Sequence, residues 1–312
     1  MSRNKTLVFL ATYNENLNIV EIFSSIIEIS TKYDVLIIDD NSTDGTKETL
    51  EKLSSSNQCL TVINRPSKMG IGSAHRAAMI YAFKNSYEQL VTMDADFSHS
   101  PVVIPKIIEK LKDSDFVIGS RYMKGGKSDY EGYRKWVSIF ANKIARLALG
   151  IKINECTTSY RAFRTSLFDN LNLSEIRSNG YSFFLECVYE IKSTEARISE
   201  IPIHFKDRIH GNSKIPKTEI FRSMYKLICL FLSRFYKRQT RLSNPIEIKQ
   251  LCHVCKSQCI VEVNNSKKNK VCADTLSDKD INLENQTRRR IYNCLVCDFS
   301  FFQDSIDTKR VE

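Results

Sequence analysis

The sequence has no long apolar run. Its strongest candidate, Leu227 to Leu232, is six residues, well short of the ~20 that cross a bilayer as a helix, so a membrane span is not expected. The N-terminal stretch resembles a signal peptide for a few residues, but its apolar run is short. It has no cleavage pattern and continues into what reads as a first strand. A cytoplasmic chain without a targeting segment is therefore expected. No G-x-G-x-x-G occurs, only the pair Gly70 and Gly72, and no His–Asp dyad is evident. Cysteine is thin over the first 240 residues, where Cys59, Cys156, Cys187 and Cys229 are scattered and read as reduced core residues.

What the chain does have is 312 residues, 42% of them hydrophobic, enough for one large domain and something small beside it. The net charge of +10 favours anionic partners such as phosphates, lipid headgroups or nucleic acid, without choosing among them. Short apolar runs at 6–10, 35–38, 60–63, 90–93 and 116–119 alternate with segments of helical spacing. That alternation predicts an α/β fold, a largely parallel sheet covered by helices on both faces. Ligands of such sheets bind at the carboxyl ends of the strands. The polar clusters fall at those ends: Tyr13 and Glu15, Asp39 and Asp40, Asp94 and Asp96, then Ser120 and Arg121.

The segment EQLVTMDADFS at 88–98 carries the expected chemistry. Two carboxylates one residue apart, at the exit of a buried strand, are costly unless something pairs with them. A divalent cation bridging to a diphosphate is a natural partner, and hard oxygen ligands suit Mg²⁺ or Mn²⁺. The alternative is a solvated loop in which Asp94 or Asp96 caps the helix near Pro101. Gly70 and Gly72 allow either a tight turn into a helix or close approach of a phosphate. The glycines of 122–135 suggest a mobile loop. Arg134 and Lys135 open a helix at the end where the macrodipole disfavours cations, which invites an anion. Glu186 rides on a helix from about Gly180 to Ile191, facing the expected pocket. His75 and His99 read as structural or capping residues.

Six motifs occur in one order: TYNEN at 12–16, DDNSTDGT at 39–46, MGIGSA at 69–74, MDADFSHSP at 93–101, GSRY at 119–122 and DRIHGNSK at 207–214. Over residues 5–236 the chain resembles a family 2 glycosyltransferase of the GT-A (nucleotide-diphospho-sugar transferase) fold. Within that family it resembles the dolichyl-phosphate or polyprenyl-phosphate mannose synthases. The resemblance implies a nucleotide-sugar donor, usually GDP-mannose, a polyprenyl-phosphate acceptor, and inversion at the anomeric carbon. It places Tyr13, Glu15, Ile38 and Asp40 on the nucleoside, and Asp94, Ala95 and Asp96 on the metal and diphosphate. Arg121, Arg208 and Lys214 would hold phosphates and Ser182 would line the donor site, while Arg121, Arg134 and Ser138 would meet the acceptor phosphate. Two positions depart from the family: Ala11 stands where proline is usual, and Ser98 where a glutamine often adds a metal ligand. A phosphate acceptor is already an anion and needs no general base. It needs cationic positioning, which the arginines and lysines at strand ends offer.

Residues 1–217 are thus expected to form the transferase domain. Residues 218–238 place Ile220, Phe221, Met224, Leu227, Ile228, Phe231, Leu232 and Phe235 on one broad face flanked by Arg222, Lys226, Arg234, Lys237 and Arg238. That is the pattern of an interfacial helix, giving peripheral contact with a membrane; packing of the same face on the domain is the alternative. A linker covers 239–251. In 252–312, Cys252, Cys255, Cys294 and Cys297 form two C-x-x-C pairs, a zinc-ribbon-like pattern for a structural Zn²⁺. A protein partner of this tail is expected; nucleic acid is not, since aromatic residues are thin among its basic ones. Two other functions stay open: a saccharide acceptor, with Glu186 as the base, or a non-catalytic adaptor working through the basic tail.

Overall fold

The structure is a computed structural model that describes residues 6–207, 218–236, 260–263, 289–294 and 300–304. The first strand, β1 (Thr6–Thr12), is followed by α1 (Asn16–Ile29), β2 (Tyr33–Asp39), α2 (Thr46–Ser56), β3 (Leu60–Asn64), α3 (Ile71–Lys84) and β4 (Gln89–Asp94). After a 3-10 turn come α4 (Ile104–Lys110), β5 (Phe116–Ser120), β6 (Lys127–Ser128), α5 (Gly132–Leu149), β7 (Arg161–Arg164), α6 (Ser182–Lys192), β8 (Ile198–Pro202) and β9 (His204–Phe205). Beyond these lie α7 (Thr218–Tyr236) and the strands β10 (Ile260–Val263), β11 (Arg289–Cys294) and β12 (Ser300–Asp304).

Seven strands form one sheet in the order β3-β2-β1-β4-β7-β5-β8. The pairs β1–β2, β1–β4, β2–β3 and β5–β8 are parallel, while β7 runs antiparallel between β4 and β5. Alternation along the strands builds a core on each face. Leu7, Phe9, Leu36, Ile38 and Ile118 pack with α3, α6 and the inner sides of α5 and α7. Val8, Leu10, Val35, Ile37, Met93 and Val117 pack with α1, α2 and α4. Helix α1 shows how the sequence sets this: Ile19, Ile22, Phe23 and Ile26 recur at i, i+3, i+4 and i+7 and are buried.

The expected largely parallel α/β sheet is present, with β7 as the exception. Its segment carries Ser and Thr before a short apolar pair, too little pattern to mark a strand. Helix α2 is entered through a left-handed turn: Gly45 is its N-cap at φ 93°, and Asp44 receives the Thr46 N–H at 3.1 Å from one residue further back. The glycine-rich 122–131 segment is tied down through β6 to β9. Gly126 belongs there because an added Cβ would sit 2.5 Å from the Ser120 carbonyl oxygen. Strands β10, β11 and β12 form a separate antiparallel sheet. Cys252, Cys255 and Cys297 lie outside the described residues, and of Cys294 only the backbone, at the end of β11, is described.

Candidate active site

The carboxyl ends of β1, β2, β4 and β5 converge, and three non-glycine residues there have left-handed backbone: Asn14 at φ 57°, Asn41 at 60° and Phe97 at 63°. Such conformations are unusual outside asparagine and aspartate, and Phe97, directly after the carboxylate pair, is the costly one.

The first two ends are laced together. Asn14 N–H donates to Ser42 Oγ at 2.8 Å, and Thr43 N–H donates to Asn14 Oδ1 at 2.8 Å. Asp39 is buried and accepts from Thr12 Oγ1 and the Ser42 N–H, so it braces the two loops. Glu15 accepts from Asn18 Nδ2 at 2.8 Å, and Lys68 Nζ lies 3.9 Å from the centre of the Tyr13 ring. Asp40 forms an ion pair with buried Arg65 and accepts the Gly70 N–H at 3.0 Å. Burial raises its carboxyl above the ordinary range even so, against the pull of Arg65 and that N–H. Ile38 contributes its side chain to the core, and its carbonyl oxygen accepts from Thr12 Oγ1 at 3.4 Å.

Gly70 and Gly72 resolve toward packing. An added Cβ on Gly72 would lie 2.5 Å from both the Ser178 carbonyl oxygen and Phe183 Cβ, and Gly72 N–H donates to Asn179 O at 2.7 Å. Their freedom serves the seat of the 178–180 loop.

Asp94 ends β4 and Asp96 sits in the turn beyond it, with Ala95 buried between them. Ser159 Oγ donates to Asp94 Oδ1 at 2.6 Å, and Ser98 N–H donates to Asp96 Oδ1 at 3.0 Å. His99 accepts the Asp94 N–H at Nδ1, 3.2 Å away, so its proton is on Nε2, which donates to Thr158 Oγ1 at 3.2 Å. Burial among Tyr160 and Phe205 lowers its pKa despite the nearby carboxylates. The 3.5 Å approach of His99 Nδ1 to Asp94 Oδ2 is therefore a neutral contact rather than an ion pair. His75, enclosed by Phe9, Phe183 and Phe184, is also held neutral by burial. Both histidines are structural.

Arg121, just beyond β5, is the second focus. Its Nε and Nη2 donate to the two oxygens of Glu155 at 2.7 and 2.9 Å, and Nη2 also donates to Thr157 Oγ1 at 3.0 Å. The rings of Tyr122, Tyr130 and Phe205 surround it. Among the described residues nothing accepts from Nη1. Burial alone would raise the Glu155 carboxyl; the Arg121 charge, with hydrogen bonds from Arg121 and Thr157, outweighs that and holds it below the ordinary range. The result is a fixed fork with one open edge. Ser138, on the inner side of α5, accepts from Tyr122 OH at 2.5 Å beside this fork.

Ser182 opens α6 with its Oγ 3.4 Å from Ser223 Oγ of α7. Glu186 does not face the crevice as expected. It is buried, accepts the Ser178 N–H at 2.7 Å and pairs with Lys226, so it is engaged inside the protein and is no general base. Arg208 and Lys214 lie outside the described residues, as does the Arg134 side chain. Glu155, Thr157, Ser159 and Arg65 were not anticipated. Arg65 and Glu155 are isolated charges in unpatterned segments, and only the insertion of β7 between β4 and β5 brings 155–159 to the crevice.

Among the described residues no three His, Cys, Asp or Glu are grouped to cage a metal. A pair of carboxylates fits a cation that keeps waters and shares phosphate oxygens, as Mg²⁺ and Mn²⁺ do.

Residues 7–171 match the model of glycosyl transferase family 2. A polyprenol monophosphomannose synthase of Mycolicibacterium smegmatis is 33% identical over 226 residues, 72% of this chain and 85% of that protein. An undecaprenyl-phosphate mannosyltransferase of Micrococcus luteus is 32% identical over 212 residues, 68% of this chain and 87% of that one. A dolichol-phosphate mannosyltransferase of Pyrococcus furiosus is 36% identical over 234 residues, 72% and 64% respectively. Among solved structures, glucosyl-3-phosphoglycerate synthase from Mycobacterium tuberculosis, in complex with Mn²⁺, UDP and glucosyl-3-phosphoglycerate, superposes with a TM-score of 0.52 at 21% identity. That match covers 74% of this chain and 80% of the other and speaks to the fold.

Proposed function

This chain belongs to glycosyltransferase family 2, and on that premise we propose that it moves mannose, with inversion, from a nucleoside diphosphate, GDP-mannose foremost, onto a polyprenyl phosphate at a membrane surface. The observation that carries this reading is the Arg121 fork beside α5, within the crevice that holds Asp94 and Asp96. It offers directed N–H donors to a phosphate, and among the described residues the carboxylate beside it, Glu155, is taken up by Arg121 and Thr157 rather than free to act as a base. The names of the relatives above point to the same acceptor class.

The roles we assign are those the family resemblance implies, and the geometry is compatible with them. Tyr13, Glu15 and Asp40 line the nucleoside end. Asp94 and Asp96 would hold Mg²⁺ or Mn²⁺, which when bound supplies Lewis-acid stabilisation of the departing diphosphate. Glu155 neutralises most of the Arg121 charge, so Arg121 acts by direction more than by net charge. The charge of the acceptor phosphate then falls to other cations, for which Lys135, Arg134, Arg208 and Lys214 are the proposed sources. An anionic phosphate oxygen attacks without prior deprotonation, so orientation is the main contribution of the protein.

The same reading accounts for two exposed apolar stripes. Helix α5 presents Tyr133, Trp136, Val137, Phe140 and Leu147, and the α7 packed beside it presents Met224, Tyr225, Ile228, Phe231 and Leu232. Exposed Lys135, Lys143 and Arg222 accompany them. Among the described residues no helix is long and apolar enough to cross a membrane. We assign these stripes to lie in the bilayer interface, bringing the lipid phosphate to Arg121. In the tail, Ile260 is in register with Cys294. Cys252 and Cys255 precede β10 and Cys297 follows β11, which supports a zinc site at that end of the sheet.

The test is transfer from GDP-mannose, UDP-glucose and UDP-N-acetylglucosamine to a short polyprenyl phosphate in detergent with Mg²⁺ or Mn²⁺. Chloroform-soluble label from GDP-mannose, lost in Asp96→Ala, is the expected result. Metal-dependent donor binding with no lipid product from any donor would refute the acceptor.

A further inference from the structure

Lys226 reads in the sequence as a membrane-facing cation, and the structure turns it the other way. On α7 the residues Ser223, Lys226, Leu227 and Leu230 share one side, and Leu227 and Leu230 belong to the domain core. The apolar stripe of α7 occupies the opposite side. The Lys226 side chain is 26% exposed and pairs with Glu186, whose side chain is 3% exposed.

From Glu186 a continuous set of contacts runs to the nucleoside end of the crevice. Its Oε2 accepts the Ser178 N–H at 2.7 Å. Arg76 holds the same loop by donating to Ile176 O at 2.9 Å, Ser178 O at 3.2 Å and Asn179 Oδ1 at 2.8 Å. Asn179 O accepts the Gly72 N–H at 2.7 Å, and the loop lies so close that neither Gly70 nor Gly72 has room for a Cβ. Gly70 N–H donates to Asp40 Oδ2 at 3.0 Å. The loop also leads directly into Ser182.

We propose that Lys226 is a positioning residue of the donor site: from the lipid-facing helix it holds Glu186, and through Glu186 the 178–180 loop, against the turn that presents Asp40. The proposal rests on the donor-site reading above. Without Lys226, the buried Glu186 carboxylate keeps only one of its two described partners and turns toward water or takes a proton. The first releases the Ser178 N–H and the second weakens its bond, since a neutral carboxyl accepts less strongly than a carboxylate, so either loosens the loop.

The experiment compares wild type with Lys226→Met, which keeps the unbranched apolar stem and removes the ammonium, and Lys226→Arg, which keeps the charge. Nucleotide affinity is measured by calorimetry with Mn²⁺ and whichever of GDP and UDP the wild type binds, without lipid. Vesicles of phosphatidylglycerol and phosphatidylcholine report membrane association, and hydrogen exchange reports the 176–182 amides. In Lys226→Met the nucleotide Kd rises about 10-fold, the scale of coupling through one packed contact network. Exchange at 176–182 quickens, vesicle association stays within about 2-fold, a change worth only ~0.4 kcal/mol, and Lys226→Arg behaves as wild type. Unchanged nucleotide affinity in Lys226→Met overturns the proposal. So does loss of vesicle association alone, which would make Lys226 a membrane cation after all. A wild type that binds neither nucleotide refutes the donor-site reading itself, a result distinct from either.

Discussion

Replacing Glu155 by glutamine isolates the Arg121 fork. The substitution keeps the shape and removes the charge. It also places an NH₂ group where Arg121 and Thr157 now direct their donors at 2.7–3.1 Å. Both side chains of the pair are nearly sealed, at 7% and 0% exposure. Removing one partner of such a buried pair costs about 3–5 kcal/mol, because the other charge stays buried and unpaired. Against a total stability of about 5–15 kcal/mol that is a large share. The acid dependence has a definite sign. Arg121 holds the folded carboxyl below its ordinary value near 4.5. Its contribution is therefore complete above that value and is lost as pH falls through the depressed folded value. Urea unfolding of wild type and Glu155→Gln at pH 7.5, then at descending pH, should show a wide gap that closes in acid. Transfer to polyprenyl phosphate should fall about 100-fold, as expected when an orienting group shifts by an ångström. A gap under ~1 kcal/mol at pH 7.5, the scale of an exposed ion pair, would refute the reasoning. So would a gap that does not change with pH.

Other consequences are equally direct. Gly72→Ala drives a Cβ into the Ser178 carbonyl and Phe183 Cβ, neither of which can swing aside. It should cost about 1–3 kcal/mol in urea unfolding, and an unperturbed midpoint contradicts the packing role. Trp136→Ser and Ile228→Ser should each weaken vesicle association by about 1.5–3 kcal/mol, the value of one large apolar side chain in lipid, while nucleotide affinity in solution is unchanged. Equal loss of both would place those residues in the fold rather than at the lipid. His75 and His99 are held neutral by burial, so the unfolded chain takes up protons the folded one refuses. Stability should drop as pH falls below about 6.5, the ordinary value for imidazole; a flat profile from pH 7.5 to 5.5 contradicts their burial as neutral rings.

The parallel core was legible because strands buried on both faces are continuous apolar runs, as in Val35 to Ile38, and because the carboxylates and tyrosine of the crevice follow those runs directly. The insertion of β7 was not legible. It depends on which strands neighbour one another, and its four residues, two of them arginine, give no period to read. For the same reason Glu155 escaped notice, since its function comes from lying across the sheet from Arg121. Glu186 and Lys226 misled in the same way. A charge on a helix reads as facing solvent or a crevice until the helix beside it is known, and here Lys226, turned inward, supplies the partner that lets Glu186 be buried. The glycines at 70 and 72 left a tight turn and a phosphate cradle equally open because the loop that fills their space lies more than a hundred residues away in sequence.

The central claim is that a phosphate oxygen, positioned by Arg121 and needing no base, is the nucleophile. Its most direct test offers labelled GDP-mannose with Mn²⁺ to three acceptors in parallel: a short polyprenyl phosphate, the same polyprenol without phosphate, and a mannose disaccharide. Label on the polyprenyl phosphate alone, in an acid-labile product of inverted anomeric configuration, is the predicted result. Transfer to the free alcohol or the disaccharide at a comparable rate would contradict it.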